Sequence, residues 1–178
     1  VALGVGFLSG IAFGIYKSGS IQTPDMSRQA DPHSDEIDHR ISDLMVAVSA
    51  NPENEAAWIQ LGNLYFDSGQ FEKAIEAYVK ALALRPENAD VWTDLGVMYR
   101  RAGNPEKAIE ALDRAIDVDP GHEVSRFNKG IVLMHDFSDT EGALRAWEEL
   151  LAINPVAMAP NGQSVDELIS HFKEHSTE

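Results

Sequence analysis

Residues 55–122 write one pattern twice at a spacing of 34, and this repetition constrains the fold more than any other feature. Trp58, Leu61, Gly62, Tyr65, Ala74, Tyr78, Ala81 and Pro86 recur as Trp92, Leu95, Gly96, Tyr99, Ala108, Leu112, Ala115 and Pro120. Within each block apolar residues fall three, four and seven apart, which is one face of a helix. Gly69-Gln70 and Gly103-Asn104 interrupt that face midway, so each block reads as two helices joined by a tight turn. Gly62 and Gly96 on the first helices, with Ala74, Ala81, Ala108 and Ala115 on the second, are small enough to let two antiparallel backbones approach closely. Trp58, Tyr65, Trp92 and Tyr99 are expected to fill the space beside them. Pro86 and Pro120 stop the second helices, because proline neither donates a backbone hydrogen bond nor tolerates a helical neighbour before it. Asn54 and Asn88 stand where N-caps belong, with Glu55 and Asp90 in first turns that favour negative charge. One block cannot bury its apolar face alone, whereas stacked blocks can.

The pattern continues in looser form on both sides. From Glu123, Gly130 keeps the small position, Leu133 replaces the tyrosine and Arg126 stands in the place of the tryptophan. Pro155 follows Pro120 by 35 residues, which predicts one inserted residue in the turn around His135 to Gly142. Ala143 and Trp147 then resume the second-helix pattern. Upstream, Ile37, Ile41, Leu44, Met45 and Val48 keep a helical period, and Ala47 and Pro52 precede Ala81 and Pro86 by 34. This segment reads as the second helix of a degenerate repeat, its polar face of Asp35, Glu36, Asp38, Arg40 and Asp43 closing the stack. After Pro155 comes a loop, then the capping-box pattern Ser164-Val165-Asp166-Glu167 and a closing helix with Leu168, Ile169 and Phe172 on its apolar side. The expected organisation is a capping half-repeat over 33–54, repeats over 55–88, 89–122 and 123–156, and a C-terminal capping helix over 157–178.

Val1 to Tyr16 carry no charge and only Ser9 as a polar side chain; a signal-peptide apolar region and a membrane anchor compete, and with no clear small-x-small cleavage site after it the segment reads as the anchor. Sixteen helical residues span about 24 Å, somewhat short of a hydrocarbon core of ~30 Å, and the chain starts without Met, so upstream residues could complete the span. Gly6, Gly10 and Gly14 form two overlapping Gly-x-x-x-Gly motifs, a groove in which the transmembrane helix of a partner could pack. Only Lys17, Arg28 and Arg40 supply positive charge before the repeats, which favours export of the C-terminal part. Residues 17–32 are polar, contain two prolines and show no period; they read as a linker.

Composition narrows the function. The chain has 29 acidic and 14 basic residues, a formal charge of −15, which argues against nucleic acid and anionic lipid headgroups as partners. With no cysteine, disulfides, thiolate metal sites, catalytic thiols and thioether-bound haem are excluded. His171-Phe172-Lys173-Glu174-His175 has the His-x-x-Glu-His spacing of a zinc protease helix. No further ligand follows it, and cations near a helix C-terminus account for the same residues. His33 and His39 are six apart and share no helical face, and no phosphate loop, nucleophile elbow or calcium loop is present. No enzyme, cofactor, metal or small-molecule substrate is expected.

The residue set and the 34-residue spacing resemble the tetratricopeptide repeat (TPR) family over about residues 35–155. The resemblance implies an all-α superhelical solenoid of antiparallel helix hairpins, here preceded by a single transmembrane helix. It implies that first helices line a concave groove for an extended peptide or a partner helix. By that register the groove residues are Ile59, Asn63, Phe66 and Asp67; Thr93, Val97, Arg100 and Arg101; and Phe127, Ile131, Met134 and His135. Chaperone-binding members use a Lys-rich clamp, and Ile59 stands where its first lysine belongs. Arg100 and Arg101 are the only adjacent basic pair and suit a ligand with a carboxylate beside apolar side chains; pairing with Asp67 or Asp94 is the competing expectation. The order of anchor, linker and exported repeats resembles bacterial TPR proteins of cytochrome c maturation and respiratory complex assembly. That resemblance implies a single-pass protein of the inner membrane with periplasmic repeats, acting as an assembly factor or as a permanent subunit of a membrane complex.

Overall fold

The structure, a computed structural model, describes residues 32–175. The expected anchor Val1 to Tyr16, its Gly6, Gly10 and Gly14, and the linker as far as residue 31 lie outside the described residues. Among the described residues no helix is long and apolar enough to cross a membrane.

Among the described residues eight helices follow one another: α1 Pro32–Ala50, α2 Glu55–Asp67, α3 Phe71–Leu84, α4 Ala89–Arg101, α5 Pro105–Val118, α6 Glu123–Asp136, α7 Thr140–Ile153 and α8 Val165–His175. Helices α2/α3, α4/α5 and α6/α7 pair as hairpins, each hairpin packs on the next, α4 also meets α6, and α8 closes on α7. The ends are set locally. The Asn54 and Asn88 side chains accept from the backbone N–H of Ala57 and Val91, satisfying donors that the first turn leaves open. Gly69 and Gly103 adopt φ of +71° and +76°, a left-handed conformation that ends α2 and α4 without a Cβ penalty. Helix α8 starts with the Ser164 hydroxyl accepting from the N–H of Asp166.

The third hairpin corrects one expectation. The turns 68–70, 102–104 and 137–139 have the same length, and it is α6 that is longer, with 14 residues against 13 in α2 and α4. The inserted residue therefore falls at the C-terminal end of α6, where the Asp139 N–H reaches back six residues to the Leu133 carbonyl while Gln70 and Asn104 reach back five to Tyr65 and Tyr99. Ser138 takes the place of the turn glycine, with φ of +56°. Asp139 caps α7 by accepting from Gly142 N–H at 2.8 Å.

The helix glycines work differently from the close backbone approach read from sequence. A Cβ on Gly62 would lie 2.5 Å from the Tyr78 ring, and one on Gly96 would lie 2.8 Å from Leu112 Cγ. On Gly130 it would overlap the Trp147 indole. Each glycine thus receives a large side chain of the second helix, and at Gly96 backbone, the Ala108 carbonyl, also comes to 3.2 Å. Tyr78, Leu112 and Trp147 are consequently almost wholly buried at the centre of their hairpins. Around Tyr78 pack Leu61, Leu64, Leu82, Leu95 and Met98, with Ile41 and Val48 of α1 covering that end. Around Trp147 pack Leu150, Ala157, Val165 and Ile169, with Phe127 and Phe172 against the indole at ring-centroid distances of 6.2 and 5.7 Å. Met45, expected on the apolar face of α1, is half exposed.

Candidate partner-binding groove

The first helices of successive hairpins meet side by side: α4 touches α6, and Arg101 of α4 reaches over Phe66 of α2. Among the residues predicted to line the groove, Val97, Arg100, Arg101 and Ile131 come together. With Gly96, Leu112, Asn128 and Val132 they enclose a cavity of about 340 Å³ between α4 and α6. A second cavity of about 320 Å³ follows at the C-terminal end, where Phe127, Ile131 and His135 meet Trp147, Leu168, Phe172 and the 159–163 loop.

Other predicted residues have structural duties. Thr93 is 3% exposed and its hydroxyl donates to the Ala89 carbonyl at 2.8 Å, so it faces the interior and not the groove. Ile59 is half-buried against the core beside Leu61 and Trp58, and Met134 packs with Phe127 and Leu133 around Trp147. Asn63 remains on the surface, its Oδ1 accepting from the Tyr78 hydroxyl at 2.7 Å. Phe66 is exposed and lies under the Arg101 guanidinium, 5.5 Å from its ring centroid, with Phe71 at 5.9 Å on the same cation.

The two arginines are therefore not a bare pair of cations. Arg100 Nε meets Asp136 Oδ2 at 2.5 Å, across 36 residues of sequence, and Arg101 rests on two aromatic faces. Neither pairs with Asp67 or Asp94, and neither of those aspartates has an ion pair or hydrogen bond among the described residues. Both act on the Tyr78 hydroxyl, whose ionisation is pushed up first by burial and then by Asp94 and Asp67. The Asp94 carboxyl is itself raised to about 6, chiefly because neighbouring atoms strip part of its hydration, then by Asp90, with His122 opposing. His122 bridges the repeats: Nε2 meets Asp90 Oδ1 at 3.0 Å, and Nδ1 accepts the backbone N–H of Ser125, capping α6.

Sequence reasoning missed these pairings: Asp136, His122 and Tyr78 lie at positions that no groove register marks, at the end or start of a helix or on the second helix of a hairpin.

Residues 59–123 match a family model described as tetratricopeptide repeat. A search of curated proteins finds no significant match. Among solved structures, this chain is similar to MamA at 26% identity and a TM-score of 0.64, over 69% of this chain and 71% of that one. It is similar in fold to MamA 41-end from Desulfovibrio magneticus RS-1, with 19% identity, a TM-score of 0.63 and 69% of each chain covered. It is also similar in fold to the first TPR of Spaghetti (RPAP3) bound to the HSP90 peptide SRMEEVD, with 18% identity, a TM-score of 0.61, and 70% of this chain and 94% of that one covered. None of these matches carries the resemblance to cytochrome c maturation or respiratory assembly proteins. On the repeat pattern, the match over residues 59–123 and these neighbours together, the described residues form an all-α solenoid of the tetratricopeptide-repeat fold.

Proposed function

We propose that this chain is a non-enzymatic docking module that holds an extended segment of a protein partner on the face of α2, α4 and α6. The observation that carries the reading is the cavity between α4 and α6, with Val97 and Ile131 as apolar walls. An opening of about 340 Å³ is large enough to take in a side chain of such a segment. The Spaghetti (RPAP3) domain is described with a peptide bound, and the reading extends that use of the fold to this chain. Val97→Glu and Ile131→Glu place charge in the cavity walls. Crosslinking in native membranes followed by mass spectrometry should locate the partner on this face in the parent and lose those crosslinks in both variants, with melting unchanged. Crosslinks confined to the outer helices α3, α5 and α7 would sink the reading.

In this reading the module is held at a membrane by residues 1–16, as a single-pass protein of the inner membrane with exported repeats, and assists assembly of a membrane complex. The uncharged composition of that segment supports it. A second reading, a permanent subunit, is favoured by Gly6, Gly10 and Gly14, whose four-residue spacing suits close packing on a partner's transmembrane helix. Replacing the three glycines by leucine should keep the chain in the membrane fraction; a stoichiometric complex in mild detergent that is lost on this change identifies the subunit. Transient capture that is indifferent to the change identifies the assembly factor, and a parent chain found in the soluble fraction would refute both forms of anchoring.

A further inference from the structure

In a chain with 29 acidic and 14 basic residues, no acidic side chain lines either cavity of the groove. Of the two arginines beside Val97 and Ile131, Arg100 is neutralised by Asp136. Arg101 is in no ion pair among the described residues, so the first cavity keeps one unbalanced positive charge at its edge. We propose, resting on the groove reading above, that Arg101 binds an aspartate or glutamate side chain within the partner's extended segment. An apolar side chain of the same segment then enters the Val97–Ile131 cavity.

Aromatic contacts hold Arg101 ready for such a ligand. Its guanidinium lies 5.5 Å from the Phe66 ring centroid and 5.9 Å from that of Phe71. A guanidinium resting on ring faces keeps its in-plane N–H donors free, and that fork matches the two oxygens of a carboxylate. The apolar half comes from a change between repeats. In the first hairpin the Tyr78 hydroxyl donates to Asn63 Oδ1 at 2.7 Å. Thirty-four residues on, Leu112 and Val97 stand in their places and line the cavity of about 340 Å³. Ile131 also walls the second cavity, together with Phe127, Trp147, Phe172 and the 159–163 loop. The surface thus runs on past the first cavity, which suits a stretch inside a chain and not a terminal carboxylate. Alternate side chains of an extended segment share a face about 6.6 Å apart, so an acid and an apolar residue two positions apart reach Arg101 and the cavity it borders. The net charge of −15 repels acids from afar, but physiological salt screens that field beyond about 8 Å and contact with Arg101 decides.

The probe is a set of end-capped nonapeptide pools with a central leucine and with glutamate, glutamine or lysine fixed two residues before or after it. They are presented on beads to the full chain in detergent micelles. Retention on the glutamate pools should exceed that on the glutamine pools roughly tenfold, as one charge-assisted contact implies. Arg101→Gln, a change at an exposed position, should abolish that preference while the glutamine pools are retained as by the parent. Val97→Asn/Leu112→Tyr rebuilds the Asn63–Tyr78 pair inside the cavity and should cut retention of every pool with melting unchanged. Equal retention of glutamate and glutamine pools, a preference for lysine, or a glutamate preference that survives Arg101→Gln overturns the proposal while leaving the docking groove intact. Full retention by the cavity-filling variant, or stronger retention of matching pools that end in a free carboxylate, overturns it as well. Retention of no pool by the parent removes the peptide-docking reading together with the proposal.

Discussion

Trp147 of α7 occupies the space that a side chain on Gly130 of α6 would need, and its indole Nε1 donates to the Phe127 carbonyl at 3.1 Å. The same place is taken by Tyr78 over Gly62 and by Leu112 over Gly96. In each hairpin the missing Cβ on one helix and the large side chain on the other are one device.

Gly130→Ala should therefore destabilise the third hairpin by ~1–3 kcal/mol through overpacking, with more if the Trp147–Phe127 hydrogen bond is lost. Gly96→Leu should act in the same direction through Leu112 and the Ala108 carbonyl. Urea unfolding checks both, and the fluorescence of Trp147 reports displacement of the indole; a Gly130→Ala curve that overlays the parent would contradict the packing.

Ser138→Gly should raise stability. Ser138 holds φ of +56°, a conformation that costs an L-residue about 1 kcal/mol and costs glycine nothing. The gain is part of that, because glycine also loses more backbone entropy on folding. Gly69→Ala and Gly103→Ala, at φ of +71° and +76°, should each lose a comparable amount. Thermal melts of the three variants should therefore move in opposite directions.

Arg126 is 8% exposed; among the described residues its Nε has no partner, and its Nη1 reaches the His122 carbonyl at 3.4 Å. At the equivalent positions Trp58 and Trp92 donate Nε1–H to the carbonyls of Pro52 and Pro86 at 2.9 and 2.8 Å. Arg126→Trp should restore that bond, to Pro120, and remove a poorly compensated buried charge, stabilising the protein by ~1–3 kcal/mol. A lower urea midpoint for this variant would mean that the guanidinium has compensation from its surroundings.

Asp94 carries a pH signature. Its folded-state pKa of about 6 lies above the usual carboxylate value, so folding favours the protonated form. The stability it contributes is complete below about pH 4, where the unfolded carboxyl is also protonated, and is lost as pH rises through about 6. Asp94→Asn should leave melting unchanged at pH 4 and raise it at pH 8, by less than about 1 kcal/mol because the residue faces solvent. An equal effect at both values would place the cause outside this titration.

The sequence by itself determined the helical hairpins. The 34-residue register, the turn glycines Gly69 and Gly103, the N-caps Asn54 and Asn88 and the stops at Pro86 and Pro120 all act on neighbours within a few residues, where backbone geometry leaves few choices. It also identified Val97, Arg100, Arg101 and Ile131, which share a cavity because equal positions of successive repeats return to one face. Only the tertiary structure decided that Gly62, Gly96 and Gly130 make room for side chains, that the extra residue lengthens α6, and that Thr93 turns inward. It alone paired Arg100 with Asp136 and laid Arg101 on Phe66, with Asp67 and Asp94 in no ion pair among the described residues. These outcomes depend on how far long side chains reach between repeats and on the rotation of one hairpin against the next. A period of 34 residues fixes which positions recur on a face; it does not fix which charges meet across it.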